Sequence, residues 1–251
     1  MDINKLSIKF KICITTNQFN RALEYLEKIS HFFEELMIED VQLLKRLCRG
    51  LIEQNRKILD KMKKTKEEEN AKSFLKVPLK DILNDYSENV LGQSLITIEK
   101  FLNCVDVLIN KTKKKSLLAH LFLIRGKIYK FLFLYSTHEN SRHLENSYIN
   151  YKNAIATSLK FVDNMDVSRI KIFYSYCKFL IKYMNDSYRG VLFCMNLTKE
   201  INELKINYEN DSDEENVLDS SEFKKVESKL KKLIDSNIVE YNKNINILLS
   251  E

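Results

Sequence analysis

The chain has 251 residues, of which 4 are Gly and 1 is Pro, whereas average usage would supply about 30 of the two together. Sheet folds and glycine-built catalytic loops need those turn residues, so both are excluded and the chain must consist of long helices with few, short connections. Its 41 Lys and Arg against 35 acids leave a formal charge of +6, which is too mild and too mixed along the chain for a whole-surface nucleic-acid footprint.

The 3.6-residue apolar period predicts about nine antiparallel helices, all-α, in a single domain over residues 1–251. The first two cover roughly 2–16 and 18–34, the second with Phe19, Ala22, Leu23, Leu26 and Ile29 on one face. The third runs from about 38 to 68 and turns Leu44, Leu47, Leu51, Ile58 and Met62 inward. The fourth starts near Pro78, a residue suited to a first helical turn, and reaches about 110. The fifth covers 116–136. The sixth, seventh and eighth cover about 145–163, 166–184 and 187–205, and the ninth about 221–248. Two segments read as irregular. Asn103 to Ser116 ends in a basic corner, Lys111-Thr112-Lys113-Lys114-Lys115, and residues 206–222 form an acidic, Ser- and Asn-rich flexible loop.

Motifs of enzymes are missing from the sequence. It has no Gly-rich phosphate loop, no His-Glu-x-x-His and no nucleophile elbow, so no catalytic residues and no cofactor are assigned. His138 and His143 flank a presumed turn and read as solvated rather than as metal ligands. The five Cys, at 13, 48, 104, 177 and 194, are scattered and odd in number, which fits reduced core residues of a cytoplasmic protein. Neither a membrane span nor an apolar leader is evident. The basic runs Lys61-Met62-Lys63-Lys64 and Lys111 to Lys115 read as solvated helix ends, with no membrane or nucleic-acid partner. Arg49 and Arg56 share a face of the third helix with Glu53 and Asp60. That face is either a ladder of surface ion pairs or a guanidinium pair aimed at a phosphate, whose oxygens the planar fork matches. Periodicity alone does not choose between them.

Several segments, in order along nearly the whole chain, resemble the 14-3-3 family. They are Met1-Asp2-x-Asn4-x-Leu6, Leu43-Leu44 with Arg49 and Arg56, Glu99-Lys100-Phe101-Leu102, and Ile124 to Leu132 beside the family's MKGDYYRYL. Tyr151-x-x-Ala154 with Ser158 and Leu233 to Tyr241 beside LLRDNLTLW complete the set. The chain is thereby similar to a divergent member of that family. The resemblance implies a homodimer of nine-helix subunits, each with a concave amphipathic groove for phosphoserine or phosphothreonine peptides, acting as a signalling adaptor on phosphorylated client proteins. It assigns phosphopeptide binding to Arg49, Arg56, Lys130, Phe131, Ser175, Asn237 and Tyr241, and dimerisation to residues 1–34. The chain departs from the pattern in ways that bear on the site. Lys130 keeps a charge without the fork, Phe131 lacks a hydroxyl, Ser175 and Tyr241 replace an asparagine and a tryptophan, and Lys127 and Lys182 replace acids. The family's dimer ion pairs are lost at Gln18, Arg21, Ile82 and Tyr86, leaving apolar contacts and Arg21 with Asp81 or Asp85 of a partner. A helical scaffold with weakened phosphate selectivity, taking acidic peptides that include its own loop, is the alternative.

Overall fold

The computed structural model describes residues 2–33, 35–71, 77–136, 139–163, 166–209, 221–239, 241–242 and 245. Among them the chain is all helical: α1 (Ile3–Thr15), α2 (Phe19–Ile29), a short 3-10 turn η1 (Ser30–Phe32), α3 (Ile38–Ala71), α4 (Val77–Lys111), α5 (Lys115–Tyr135), α6 (Asn140–Phe161), α7 (Val167–Tyr183), α8 (Ser187–Glu209) and α9 (Ser221–Asp235). These fall into two compact units, Met1–Asn150 and Tyr151–Glu251, with the division inside α6.

With so little glycine, asparagine turns the corners. The Asp2 carboxylate caps α1 by accepting from the Lys5 amide at 3.1 Å. At its other end Asn17 takes a left-handed φ of 59°, and the amides of Asn17 and Gln18 donate to the Ile14 and Cys13 carbonyls at 3.2 and 2.7 Å. Asn tolerates this conformation better than any residue except glycine, and the two bonds satisfy carbonyls that the helix end would leave open. Arg46 of α3 reinforces the corner by donating to the Thr15 carbonyl and the Asn17 side chain, each at 3.2 Å. Asn185 (φ 53°) closes α7 in the same way, and the next residue, Asp186, caps α8 by accepting from the Arg189 amide at 3.0 Å.

In the first unit α5 is the central helix. Residues around most of its circumference, from Leu117 to Leu132, are buried, as a helix apolar on nearly all sides requires. Helices α3 and α4 pack on it, α2 packs on those two, and α1 packs on α2 and α3. The expected face of α2 is observed, with Ala22, Leu23, Leu26 and Ile29 buried and Phe19 partly so. On α3 the reading needs one correction. Leu44, Leu47 and Leu51 are buried, but Ile58 is exposed and the stripe continues through Asn55 and Leu59. Asn55 tolerates burial because its amide donates to the Leu51 carbonyl at 2.8 Å, which meets the hydrogen-bonding demand of a core polar group. A half-buried ion pair, Arg125 Nε to Asp106 Oδ1 at 2.8 Å, joins α5 to α4. Ser147 of α6 donates to the Gly126 carbonyl at 2.8 Å.

Gly50 marks the closest approach of α3 to Phe19. A Cβ built there meets the Phe19 ring at 2.4 Å. Alanine gains about 1 kcal/mol of helix propensity, but forcing a methyl against a packed ring costs about 1–3 kcal/mol. Gly50→Ala is therefore expected to destabilise the protein by about 1 kcal/mol, and Phe19→Leu in the same chain to relieve much of that loss. Urea denaturation of the two single variants and the double variant measures the coupling.

Other boundaries differ from expectation in instructive places. Asn103 to Lys111 is helical, so the irregular basic corner shrinks to residues 112–114. Helix α6 begins at Asn140 rather than near 145, which puts His143 on a helix and not in a turn. His138 lies outside the described residues. The acidic stretch expected as a loop over 206–222 is helical at both ends, since α8 continues to Glu209 and α9 begins at Ser221. Residues 210–220 lie outside the described residues.

The second unit has its own core, in which Tyr151 stacks on Phe179 with centroids 4.7 Å apart. Helices α7 and α8 lie close together, with Cys177 facing Cys194. The buried Arg169 Nη2 of α7 meets Glu200 Oε1 of α8 at 2.9 Å. Helix α9 seals this core with Val226, Leu230 and Leu233. It does not run on unbroken as expected, because residues 236 and 237 form a turn before helical backbone resumes at Ile238. Among the described residues no helix is long and apolar enough to cross a membrane.

Candidate functional site

The α3 face that carries Arg49 and Arg56 is exposed, as seven-residue spacing outside the buried stripe dictates. The surface ladder that the spacing permits is mostly absent. Its one ion pair is Arg56 Nε to Asp60 Oδ2 at 3.9 Å, with both side chains more than half exposed. Among the described residues neither Arg49 nor Glu53 takes part in an ion pair. A long, exposed pair of this kind is worth about 0–1 kcal/mol, so Arg56 is held only weakly. Asp60 also accepts the Tyr135 hydroxyl at 3.0 Å, which ties the end of α5 to α3.

Where α5 crosses α3, its positive groups gather beside Arg49. Lys127, Lys130 and Arg49 all act electrostatically on the Cys48 thiol of α3. Burial pushes that thiol up from 9.0 to about 11 and outweighs the three cations. It is thus a neutral thiol at physiological pH and offers the cations no counter-charge. Lys127 is half-buried between the buried Gly126 and Ile128. Burial lowers its pKa first, and Arg49 lowers it further. Among the described residues no carboxylate acts on it. Phe131 is 2% exposed, with its ring 4.7 Å from that of Tyr135. This position therefore contributes a core ring, and the hydroxyl that shares Asp60 with Arg56 comes from Tyr135, one turn further along α5.

The remaining expected residues belong to the second unit. The half-buried Ser175 Oγ donates to the Lys171 carbonyl at 2.7 Å. Asn237 stands in the turn after α9, and its amide nitrogen donates to the Leu233 carbonyl at 2.7 Å, leaving Oδ1 as an acceptor. Tyr241 stacks on Tyr188 with centroids 5.4 Å apart and planes 10° off parallel. Lys178 and Lys182 of α7 meet Lys229 of α9, and burial, then Lys182 and Lys229, lower the Lys178 pKa. The structure thus brings Arg49 and Lys130 together with Lys127, places Arg56 two turns along the same helix, and sets a second lysine cluster in the other unit. The sequence reading assigned Lys127 only to the background field. Its identity was visible, but its burial depends on how α5 packs on α3.

All five cysteines are free and buried, as their scatter led one to expect. Among the described residues no group of three or more His, Cys, Asp or Glu side chains could hold a metal ion. The Cys48 thiol sets a pH dependence. The unfolded thiol ionises near 9.0 and the folded one near 11, so between those values the unfolded chain has lost a proton that the folded protein retains. Stability from this group is therefore complete below the lower value and falls as pH climbs through the window, by about 2–3 kcal/mol in all. Denaturation midpoints across that window should fall less steeply in Cys48→Ala than in the unaltered protein.

A scan against protein-family models finds no match to the chain, and a search of the curated proteins finds none either.

Proposed function

We propose that the protein is a binding protein rather than an enzyme: a 14-3-3-like adaptor for phosphoserine or phosphothreonine peptides that regulates phosphorylated client proteins. The observation that carries this reading is the cationic cluster on α3 and α5, where among the described residues Arg49 and Lys127 have no carboxylate against them. In this reading the peptide lies in a concave amphipathic groove. Its phosphate takes paired hydrogen bonds from Arg49 and Arg56, with Lys130 as a point charge. The five free thiols fit a reducing, cytoplasmic setting. The test is a titration with a phosphoserine peptide and the same peptide without phosphate. Affinity at least about a hundredfold higher for the phosphorylated form is expected, from two charged hydrogen bonds at about 1.5–3 kcal/mol each. Equal affinities reject the reading.

A second reading has its own support. Phe131 donates no hydrogen bond, and Lys178, Lys182 and Lys229 gather charge within the second unit. A core ring at 131 and charge gathered by the second unit itself favour a scaffold that takes acidic peptides with little phosphate selectivity. An aspartate-rich peptide that binds as tightly as the phosphopeptide would decide for it.

The homodimer belongs to the same proposal. Near the start of α4, Ile82 and Tyr86 are 66% and 60% exposed, with the exposed Asp81 and Asp85 beside them. Helix α1 exposes Ile8 and Ile12 and carries Lys5, Lys9 and Lys11 with no acid. An apolar, basic face on one copy thus complements an apolar, acidic face on another, and the exchange is reciprocal in a two-fold dimer. Light scattering at micromolar concentration should report twice the 29.8 kDa chain mass. A monomer alone would reject the dimer.

A further inference from the structure

Lys127 stands out from the other lysines of the first unit in its surroundings. Its side chain is half-buried on α5, and only two groups act on its ammonium appreciably. Arg49 repels it, and the Cys48 thiol is uncharged at neutral pH. Among the described residues its Nζ has neither a hydrogen-bond acceptor nor a carboxylate. A partly desolvated cation without a partner costs stability, and an uncharged side chain of similar length such as methionine would cover the same surface without that cost. Arg49 next to it raises the cost instead of relieving it. Among the described residues no anion relieves either charge, so both gain when an anion from elsewhere reaches them.

We propose that Lys127 is itself a phosphate-binding residue, which with Arg49 takes the phosphate of a phosphoserine or phosphothreonine peptide. The inference rests on the reading of the α3–α5 cluster as a phosphate site, and it makes the ammonium a further donor where Lys130 lacks the guanidinium fork and Phe131 lacks a hydroxyl. A phosphate monoester carries a charge near −2 at neutral pH, so an added cation favours it over a carboxylate.

The test uses Lys127→Met in the full chain, with Lys127→Arg and Arg49→Ala alongside. Three quantities are read: affinity for a phosphoserine peptide, melting temperature without ligand, and the rise in melting temperature on adding inorganic phosphate. For Lys127→Met the affinity should fall at least about tenfold, the scale of one charged hydrogen bond. The unliganded melting temperature should stay level or rise, and the stabilisation by phosphate should shrink. Lys127→Arg should keep the affinity. If Lys127→Met binds as the unaltered protein does while Arg49→Ala does not, this inference is overturned and the site reading stands. A lower melting temperature with unchanged affinity also overturns it, because the amine would then be structural. If the unaltered protein prefers no phosphorylated peptide and gains nothing from phosphate, the inference and the site reading fail together.

Discussion

Arg49→Ala combined with Arg56→Ala is expected to lower phosphopeptide affinity by about a hundredfold or more while leaving the fold intact. Each guanidinium donates charged hydrogen bonds to phosphate at about 1.5–3 kcal/mol apiece, so losing both sums to about 3–6 kcal/mol of binding. The stability side is small. Both side chains are exposed, and among the described residues the one ion pair lost is the 3.9 Å contact between Arg56 and Asp60, worth about 0–1 kcal/mol. The separation of the two effects is what identifies a binding role. Fluorescence anisotropy with a labelled phosphopeptide reads the first and thermal melting the second. A double variant that binds normally removes the arginines from the site, and one that melts far below the parent shows them to be structural. Arg56→Lys should retain charge but lose the two-pronged geometry, and so fall between parent and alanine.

The largest stability effect is expected in the second unit, at a residue with no part in the proposed binding. Arg169 is 6% exposed, and among the described residues its one ion pair is Nη2 to Glu200 Oε1 at 2.9 Å. Its guanidinium also lies over the Phe173 ring at 5.9 Å, and among the described residues its Nη1 has no hydrogen-bond partner. Glu200→Ala leaves a buried cation uncompensated, which costs about 3–5 kcal/mol. Arg169→Met should be far milder, because a thioether fills much of the same space and Glu200, 36% exposed, turns to water. For a chain of this length each kcal/mol moves the melting temperature by about 2–4 °C. Thermal melts of the two variants thus show a wide gap in the predicted order, whereas equal losses would mean that the pair acts through packing alone.

Much of the fold is legible in the composition and period of the chain, because helices without glycine or proline leave few ways to misplace an element. What escaped was polar chemistry that imitates or interrupts the apolar pattern. Ile58 outranks Asn55 on any hydrophobic scale, yet Asn55 is the buried one because its amide finds the Leu51 carbonyl one turn back. The ninth helix has an apolar repeat that passes through residue 236 without a break. The Ser236 hydroxyl and the Asn237 amide donate to the Lys232 and Leu233 carbonyls at 2.6 and 2.7 Å, and side-chain bonds of this type compete with the helical ladder. Asn17 and Asn185 are ordinary polar residues in the sequence and become corner residues only in a left-handed conformation. At the site, the shared face of Arg49 and Arg56 follows from their spacing. Whether the arginines are tied up by Glu53 does not, since that depends on rotamers. The environment of Lys127 depends on contacts between α3 and α5, which are far apart in sequence.

The proposal that a phosphate sits among the cations of α3 and α5 is tested most directly by the phosphorus NMR signal of a phosphoserine peptide, followed across pH with and without the protein. A free phosphate monoester loses its second proton near pH 6. Arg49, Arg56, Lys127 and Lys130 favour the dianion, so the expected result is a bound pKa well below the free value, with the shift lost in Arg49→Ala plus Arg56→Ala. A bound phosphate that titrates as it does in water, or a signal that the protein does not perturb, would contradict a phosphate held by these residues.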